Sequence, residues 1–202
     1  MLEGALVHLI DDDEDVRRAV AFLLGTAGLA VKVYESPRPF LATFKDAAKT
    51  VVLSDVRMPD MDGLELLRQL RARGSACAVI IMTGHTDVPM AVEAMKLGAV
   101  DFIEKPFTDE VLLSAIERAL EGCEHVSAAG GDKNYAKRLE ALSEREKEVL
   151  RGLLAGHPNK TIAYDLGLSP RTVEVHRANL MTKTGASSLS ELVRMAILAG
   201  YS

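Results

Sequence analysis

The stretch Val51-Val-Leu-Ser-Asp55-Val-Arg-Met-Pro59-Asp-Met-Asp-Gly63 decides how the first half of the chain is read. Val51, Val52 and Leu53 are apolar and mostly β-branched, the pattern of a strand buried in a parallel sheet. The run stops at a carboxylate, Asp55. Pro59 and the Asp62-Gly63 pair signal a turn, since proline fixes φ and glycine permits positive φ. Leu64, Leu66, Leu67 and Leu70 then recur at helical spacing. Asp55 is therefore expected at the carboxyl end of a strand, where open α/β sheets carry their chemistry.

The same alternation repeats on both sides. Leu6–Ile10 is an apolar run that ends at Asp11-Asp12-Asp13-Glu14-Asp15, and Val16, Val20, Leu23 and Leu24 follow on one helical face. Ala30–Tyr34 reads as a second strand, and residues 39–44 as a helix entered through Pro37 and Pro39. Residues 79–82 read as a fourth strand ending in Thr83-Gly84, 87–97 as a helix, and 100–103 as a fifth strand ending in Glu104-Lys105-Pro106-Phe107. Residues 111–119 close the series as a helix. Strands alternating with helices predict a parallel sheet covered on both faces. Short right-handed crossovers favour the flavodoxin-like strand order 2-1-3-4-5, which would bring Asp11, Asp12 and Asp55 into one pocket.

Residues 122–139 break the pattern with a small, polar, glycine-bearing run and read as a linker. From Leu142 onward the period is purely helical. Ser143 and Glu146 fit a capping box ahead of Val149, Leu150, Leu153 and Leu154. A short helix at 159–166, the turn Gly167-Leu-Ser169, and Pro170 opening a second helix give the outline of a helix-turn-helix. The expected organisation is an α/β domain over 1–121, a linker over 122–139, and an all-α domain over 140–202.

Charge follows this division. The 202-residue chain carries a net −5, but residues 140–202 hold eight Lys/Arg against seven Asp/Glu, which leaves −6 for the front segment. Two modules with different partners fit that asymmetry. No basic segment leads an apolar core at the amino terminus, and no apolar run approaches the roughly 20 residues that span a bilayer. Cys77 and Cys123 lack metal-ligand spacing and read as free thiols of a cytoplasmic protein with no membrane partner.

Three carboxylates in one small pocket repel one another unless a cation neutralises them. An all-oxygen donor set points to Mg²⁺, and a carboxylate can attack phosphorus to give an aspartyl phosphate. Lys105 and Thr83, at neighbouring strand ends, could supply a cation and a hydroxyl for the phosphoryl oxygens. Acidic strand ends that merely cap helices would explain any one of these residues, but not the complementary set.

These motifs make residues 1–121 resemble the receiver domain of a two-component response regulator: Asp11-Asp12, Asp55 in DVRMPDMDG, Thr83 in MTGH, and Lys105 in EKPF. The resemblance implies that Asp55 is the phosphoacceptor and that Thr83 and Lys105 sense and bind the phosphoryl group. It puts the metal at Asp12, Asp55 and the carbonyl of Arg57, with Asp11 acting through water. Phe102 takes the switch aromatic's position, and Arg57 and His85 lie where phosphoryl lifetime is tuned. Residues 140–202 are similar to the LuxR-type helix-turn-helix through LSEREKEVL and SPRTVEVHRANLMTKTG, so the whole chain looks like the NarL/FixJ class.

That class implies a phosphorylation-activated transcription regulator rather than an enzyme. Its partners would be a sensor histidine kinase (FixL-like and oxygen-sensing, with nitrogen-fixation targets), promoter DNA, RNA polymerase, and a second copy when phosphorylated. Residues 170–184 would be the recognition helix. Lys160, Arg171, Thr172, Arg177 and Lys183 are candidates for phosphate contact, and Glu174, Val175 and Ala178 for base edges. His176 reads as a packed, hydrogen-bonded helix residue. Val88, Val92 and Met95 are candidates for receiver dimerisation. Met195 and Leu198 lie off the core stripe of the last helix and are candidates for a dimer contact there. A phosphatase of similar fold would need a substrate-binding insertion that the sequence lacks, and a pure relay module would not need the helix-turn-helix.

Overall fold

The computed structural model describes residues 4–84, 88–125 and 133–201. Strands β1 (Leu6–Ile10), β2 (Ala30–Tyr34), β3 (Thr50–Asp55), β4 (Ala78–Thr83) and β5 (Asp101–Glu104) alternate with helices α1 (Glu14–Thr26), α2 (Pro37–Thr43), α3 (Gly63–Ala72), α4 (Val88–Lys96) and α5 (Asp109–His125). All neighbouring strands are parallel, in the expected order β2-β1-β3-β4-β5. Every residue of β3 and β4 is buried, which is why both read as unbroken apolar runs, whereas β2 lies at an edge and carries exposed positions. Leu9, Leu53, Ile80 and Met82 pack with Leu112 and Ile116 of α5 in one core.

Register fixes the site. Ile10 pairs with Ser54, so Asp11 and Asp55 are the next residues on adjacent strands. Thr83 pairs with Glu104, which sets Lys105 just beyond the end of β5. Much of the remaining acidity is local capping. Asp13 caps α1 by accepting from the amides of Asp15 and Val16, and Asp62 caps α3 by accepting from that of Glu65.

A second set of helices follows: α6 (Lys133–Glu140), α7 (Glu144–Leu154), α8 (Asn159–Leu166), α9 (Pro170–Thr184) and α10 (Leu189–Leu198). The capping box of Ser143 and Glu146 opens α7 as expected. Left-handed Gly167 ends α8, and Ser169 with Pro170 starts α9, completing the helix-turn-helix.

Two features of the organisation were not apparent in the sequence. The segment 122–139 is helical at both ends, because α5 continues to His125 and α6 begins at Lys133; residues 126–132 lie outside the described residues. One buried leucine, Leu139, anchors α6, too little apolar signal to register in a polar stretch. The chain also divides into compact units differently from the sequence order. One unit contains the sheet with α1–α3 and α5; the other contains α4 together with α6–α10.

Candidate functional site

The carboxyl edge of the sheet holds two buried carboxylates and one ammonium. Asp11 is 1% exposed and Asp55 7%. Lys105 Nζ donates to Asp11 Oδ2 at 2.6 Å and to Asp55 Oδ1 at 2.5 Å. The second oxygen of each carboxylate accepts a backbone amide: Asp13 N to Asp11 Oδ1 at 2.9 Å, and Arg57 N to Asp55 Oδ2 at 2.6 Å. Arg17 Nη1 holds the carbonyl of Asp11 at 2.7 Å. Thr83 is buried at the end of β4, and its carbonyl accepts from Lys105 N at 2.6 Å, which ties the lysine to that strand.

The turn after Asp55 works differently from its sequence reading. The positive φ, 68°, belongs to Asp60, a residue type that tolerates the left-handed region, and not to Gly63. Gly63 is needed for close approach, since a Cβ there would stand 2.3 Å from the carbonyl oxygen of Asp55. Its amide donates to Val56 O at 2.9 Å, pinning the start of α3 beneath the phosphoacceptor candidate.

Two carboxylates share one ammonium, so the cluster carries excess negative charge. Burial pushes the Asp55 carboxyl above its ordinary range, outweighing the hydrogen bond and charge of Lys105. Burial pulls the Lys105 ammonium down, but its bonds to Asp11 and Asp55 win and its pKa is raised. The donor set is purely oxygen, the kind a hard divalent cation takes, and the unbalanced charge favours a further cation. On those grounds the residues fit Mg²⁺. Asp12 is exposed and is not drawn in with Asp11 and Asp55. Among the described residues no group of three or more His, Cys, Asp or Glu is arranged to hold an ion; the ammonium of Lys105 bridges the carboxylates instead. Phe102 is half-buried on β5, where a switch aromatic would need space on either side. His85 lies outside the described residues.

The helix-turn-helix sorts its candidates into free and committed groups. Lys160 and Arg171 are exposed, as are Glu174, Val175 and Ala178 on the outer face of α9. Two cations are committed within the domain. Arg177 is half-buried and donates to Asn159 Oδ1 at 2.9 Å, tying α9 to α8, and burial holds its pKa below the usual value. Lys183 Nζ binds the buried Glu146 carboxylate of the α7 capping box at 2.8 Å. Thr172 is engaged with the Ser169 cap. His176 is half-buried, and its Nδ1 finds no hydrogen-bond partner among the described residues.

The dimer candidates are mostly covered. Met195 is 0% exposed and belongs to the core of its domain, because α10 buries a broader apolar face than its stripe suggests. Leu198 remains 56% exposed. Val92 and Met95 are buried, and the side chain of Val88 lies outside the description. Cys77 is buried and free, with its thiol pushed up by burial; the side chain of Cys123 is not described.

Two exposed aromatics escaped the sequence reading because apolar residues on amphipathic helices are assigned to the core. Phe22 on α1 is 75% exposed, and the same helix lines a groove of about 280 Å³ with Glu14, Arg17, Arg18 and Ala21, closed by Val33 of β2. Tyr164 on α8 is 87% exposed, one turn after Lys160. For Tyr164 the signal was available: Ile162 and Ala163 face inward, which turns position 164 to solvent.

Comparison with known proteins agrees with both halves. Residues 7–117 match the family described as "Response regulator receiver domain", and residues 140–196 match "Bacterial regulatory proteins, luxR family". The chain is 55% identical over 199 residues to the transcriptional regulatory protein FixJ of Rhizobium meliloti (strain 1021), covering 96% of each. It is 54% identical over 201 residues to FixJ of Azorhizobium caulinodans, covering 99% of this chain and 95% of that protein. Among solved structures, full-length FixJ from B. japonicum shares 47% identity over 98% of both chains with a TM-score of 0.56. No helix among the described residues is long and apolar enough to cross a membrane.

Proposed function

The chain belongs to the FixJ-like two-component response regulators, phosphorylation-activated transcription regulators rather than enzymes, and from that premise we propose how its residues carry the signal. A sensor histidine kinase donates a phosphoryl group to Asp55. The attacking carboxylate oxygen of Asp55 forms the new P–O bond as the P–N bond to the kinase histidine breaks. The bridge of Lys105 to Asp55 and Asp11 supports this reading most directly, because it holds a cation where phosphoryl oxygens would arrive. Receiver domains generally bind Mg²⁺ at this position. Asp55 and the Arg57 carbonyl would hold it, with Asp12 once its exposed carboxylate turns in and Asp11 through water, and it would neutralise charge on the phosphoryl oxygens. Thr83 then donates its hydroxyl to the phosphoryl group, and Phe102 turns into the space vacated.

The kinase docks on α1, at the groove lined by Arg17 and Arg18 and on the exposed Phe22 of the same helix. Arg17 supports that placement, since it lines the groove and also holds the Asp11 carbonyl. The kinase is FixL-like, and the regulator activates nitrogen-fixation promoters through RNA polymerase in the cytoplasm; near-full-length identity to FixJ proteins supports these particulars. The receiver spans 1–121 and the DNA-binding domain 140–202, and the segment 122–139 joins them, its second half contributing α6 to the DNA-binding side. Phosphorylated receivers pair through α4, which must then present Val92 and Met95, and Leu198 contributes at α10. Lys160, Arg171 and Thr172 contact phosphates while Glu174, Val175 and Ala178 read bases, and Arg177 and Lys183 act there only if they leave their present partners.

Light scattering with Mg²⁺ and a small phosphoryl donor tests the reading. The wild type should gain a phosphoryl adduct and shift towards a dimer, whereas Asp55→Asn should do neither. An adduct that survives Asp55→Asn would refute the assignment.

A further inference from the structure

The recognition helix is fastened to other helices at several points. Near its middle, Arg177 reaches Asn159 of α8; towards its end, Lys183 reaches Glu146 of α7. A third tie comes from the segment read as linker. Arg138 Nη1 of α6 donates to the carbonyl oxygen of Thr184 at 3.2 Å. Thr184 is the last residue of α9, so its carbonyl is among those a helix leaves without an internal donor. A guanidinium there also meets the negative end of the helix dipole. Leu139, adjacent to Arg138, is fully buried and plants α6 in the helical core. Left-handed Gly185 turns the chain directly beside the contact, with a Cβ position 3.8 Å from Arg138 Nη1.

We propose that Arg138 is a positioning residue for DNA reading: from α6 it fixes the carboxyl end of α9, and so the placement of Glu174, Val175 and Ala178 against base edges. The inference rests on the DNA-binding reading of this domain. Arg138 lies before the matched segment 140–196, so the functional DNA-binding unit begins in α6. Contacts to base edges are short and directional, whereas phosphate contacts tolerate small shifts of a helix. Loss of the tie therefore degrades sequence discrimination while leaving non-specific binding alone.

The test uses the full-length phosphorylated chain and two probes: a duplex selected from a random pool by the wild type, and a scrambled duplex of the same composition. Arg138→Ala should weaken binding to the selected duplex roughly 5- to 30-fold, comparable to a mismatched base pair. Binding to the scrambled duplex and the salt slope should stay unchanged, and Arg138→Lys should recover part of the loss. Equal losses on both duplexes, with a slope smaller by about 1, would make Arg138 a phosphate contact and overturn the proposal. An unchanged ratio of the two affinities, after correction for folded fraction by circular dichroism, would also overturn it. If Arg138→Ala does not fold, Arg138→Gln takes its place: a reduced ratio supports the proposal and an unchanged ratio overturns it. A wild type that selects no duplex at all would defeat the DNA-binding reading itself, and this proposal with it.

Discussion

Replacing Lys105 with methionine keeps the stem and removes the charge that bridges Asp11 and Asp55. Breaking a buried ion pair by deleting one partner costs about 3–5 kcal/mol, because a charge is left without compensation. The lysine side chain is 20% exposed, so some of that loss is screened, and about 2–4 kcal/mol is expected at neutral pH. The sign with pH follows from direction. The folded-state pKa of Asp55 is already raised, and removing Lys105, which lowers it, raises it further. A carboxyl whose folded pKa is raised contributes stability that is fully present below its unfolded value, near 4, and lost as pH rises through the folded value. Lys105→Met should therefore approach the wild type in mildly acid solution and fall behind as pH rises towards 7. Mg²⁺ should restore part of the gap by supplying the missing positive charge. Urea titrations across that pH range, followed by hydrogen exchange of β3 amides, read the receiver unit directly. A deficit of constant size at every pH would show that lost packing, rather than lost charge, controls the variant, and would refute the electrostatic account.

Gly63→Ala forces a methyl group onto the Asp55 carbonyl, so α3 or the end of β3 must move. A stability loss of about 1–3 kcal/mol is expected by thermal denaturation, together with a marked fall in phosphoryl adduct formation measured by mass spectrometry. His8 is buried among Tyr34, Phe40 and Phe44, and burial, with Lys32 nearby, lowers its pKa. Its stability contribution is full above the unfolded value, near 6.5, and is lost as pH falls through the folded value. Accordingly, the wild type should lose urea resistance between neutral and acid pH, and a His8→Phe variant with the same acid loss would exclude this origin. Tyr164 stands exposed one turn after Lys160, a phosphate-contact candidate, so its hydroxyl is placed to reach the same backbone; Tyr164→Phe should then weaken selected and scrambled duplexes alike without changing the salt slope, since a neutral hydroxyl on a phosphate releases no counterion. An unchanged affinity would leave Tyr164 without a role at DNA.

Legibility tracked how strongly a residue's neighbours in sequence constrain it. Asp55 was readable because an apolar run must end somewhere, and a carboxylate at that end has few reasons to be there. Strand order was readable because parallel crossovers permit few arrangements. The bridge of Lys105 to Asp11 joins positions 94 residues apart, and only the register of the sheet brings them together. The helix-turn-helix was equally plain from its Gly167 and Ser169-Pro170 punctuation. What stayed hidden were pairings decided by side chains meeting across helices: Lys183 with Glu146, Arg177 with Asn159, Arg138 with Thr184. Each involves a long cationic side chain that sequence alone assigns to solvent or to phosphate. Met195 was misplaced for the reverse reason, since a helical wheel cannot say how wide a face the neighbouring helices will cover.

Those internal commitments bear on how the two halves of the molecule depend on each other. Of the four cationic candidates for phosphate contact, Arg177 and Lys183 are bound within the domain, while Lys160 and Arg171 are exposed. A single DNA-binding domain that neutralises two phosphates has a salt slope of only about −2, and its non-specific binding is correspondingly weak at physiological ionic strength. Two copies on one duplex double the slope to about −4 and gain the effective concentration of a linked pair. Occupancy then depends on pairing, and pairing is the step that the proposed phosphoryl switch would control. Affinity measured between low and moderate salt separates the cases. A slope that steepens about twofold on phosphorylation supports this coupling. A slope already near −4 in the unphosphorylated chain would mean that Arg177 and Lys183 leave their partners to reach the DNA, and that phosphorylation acts elsewhere.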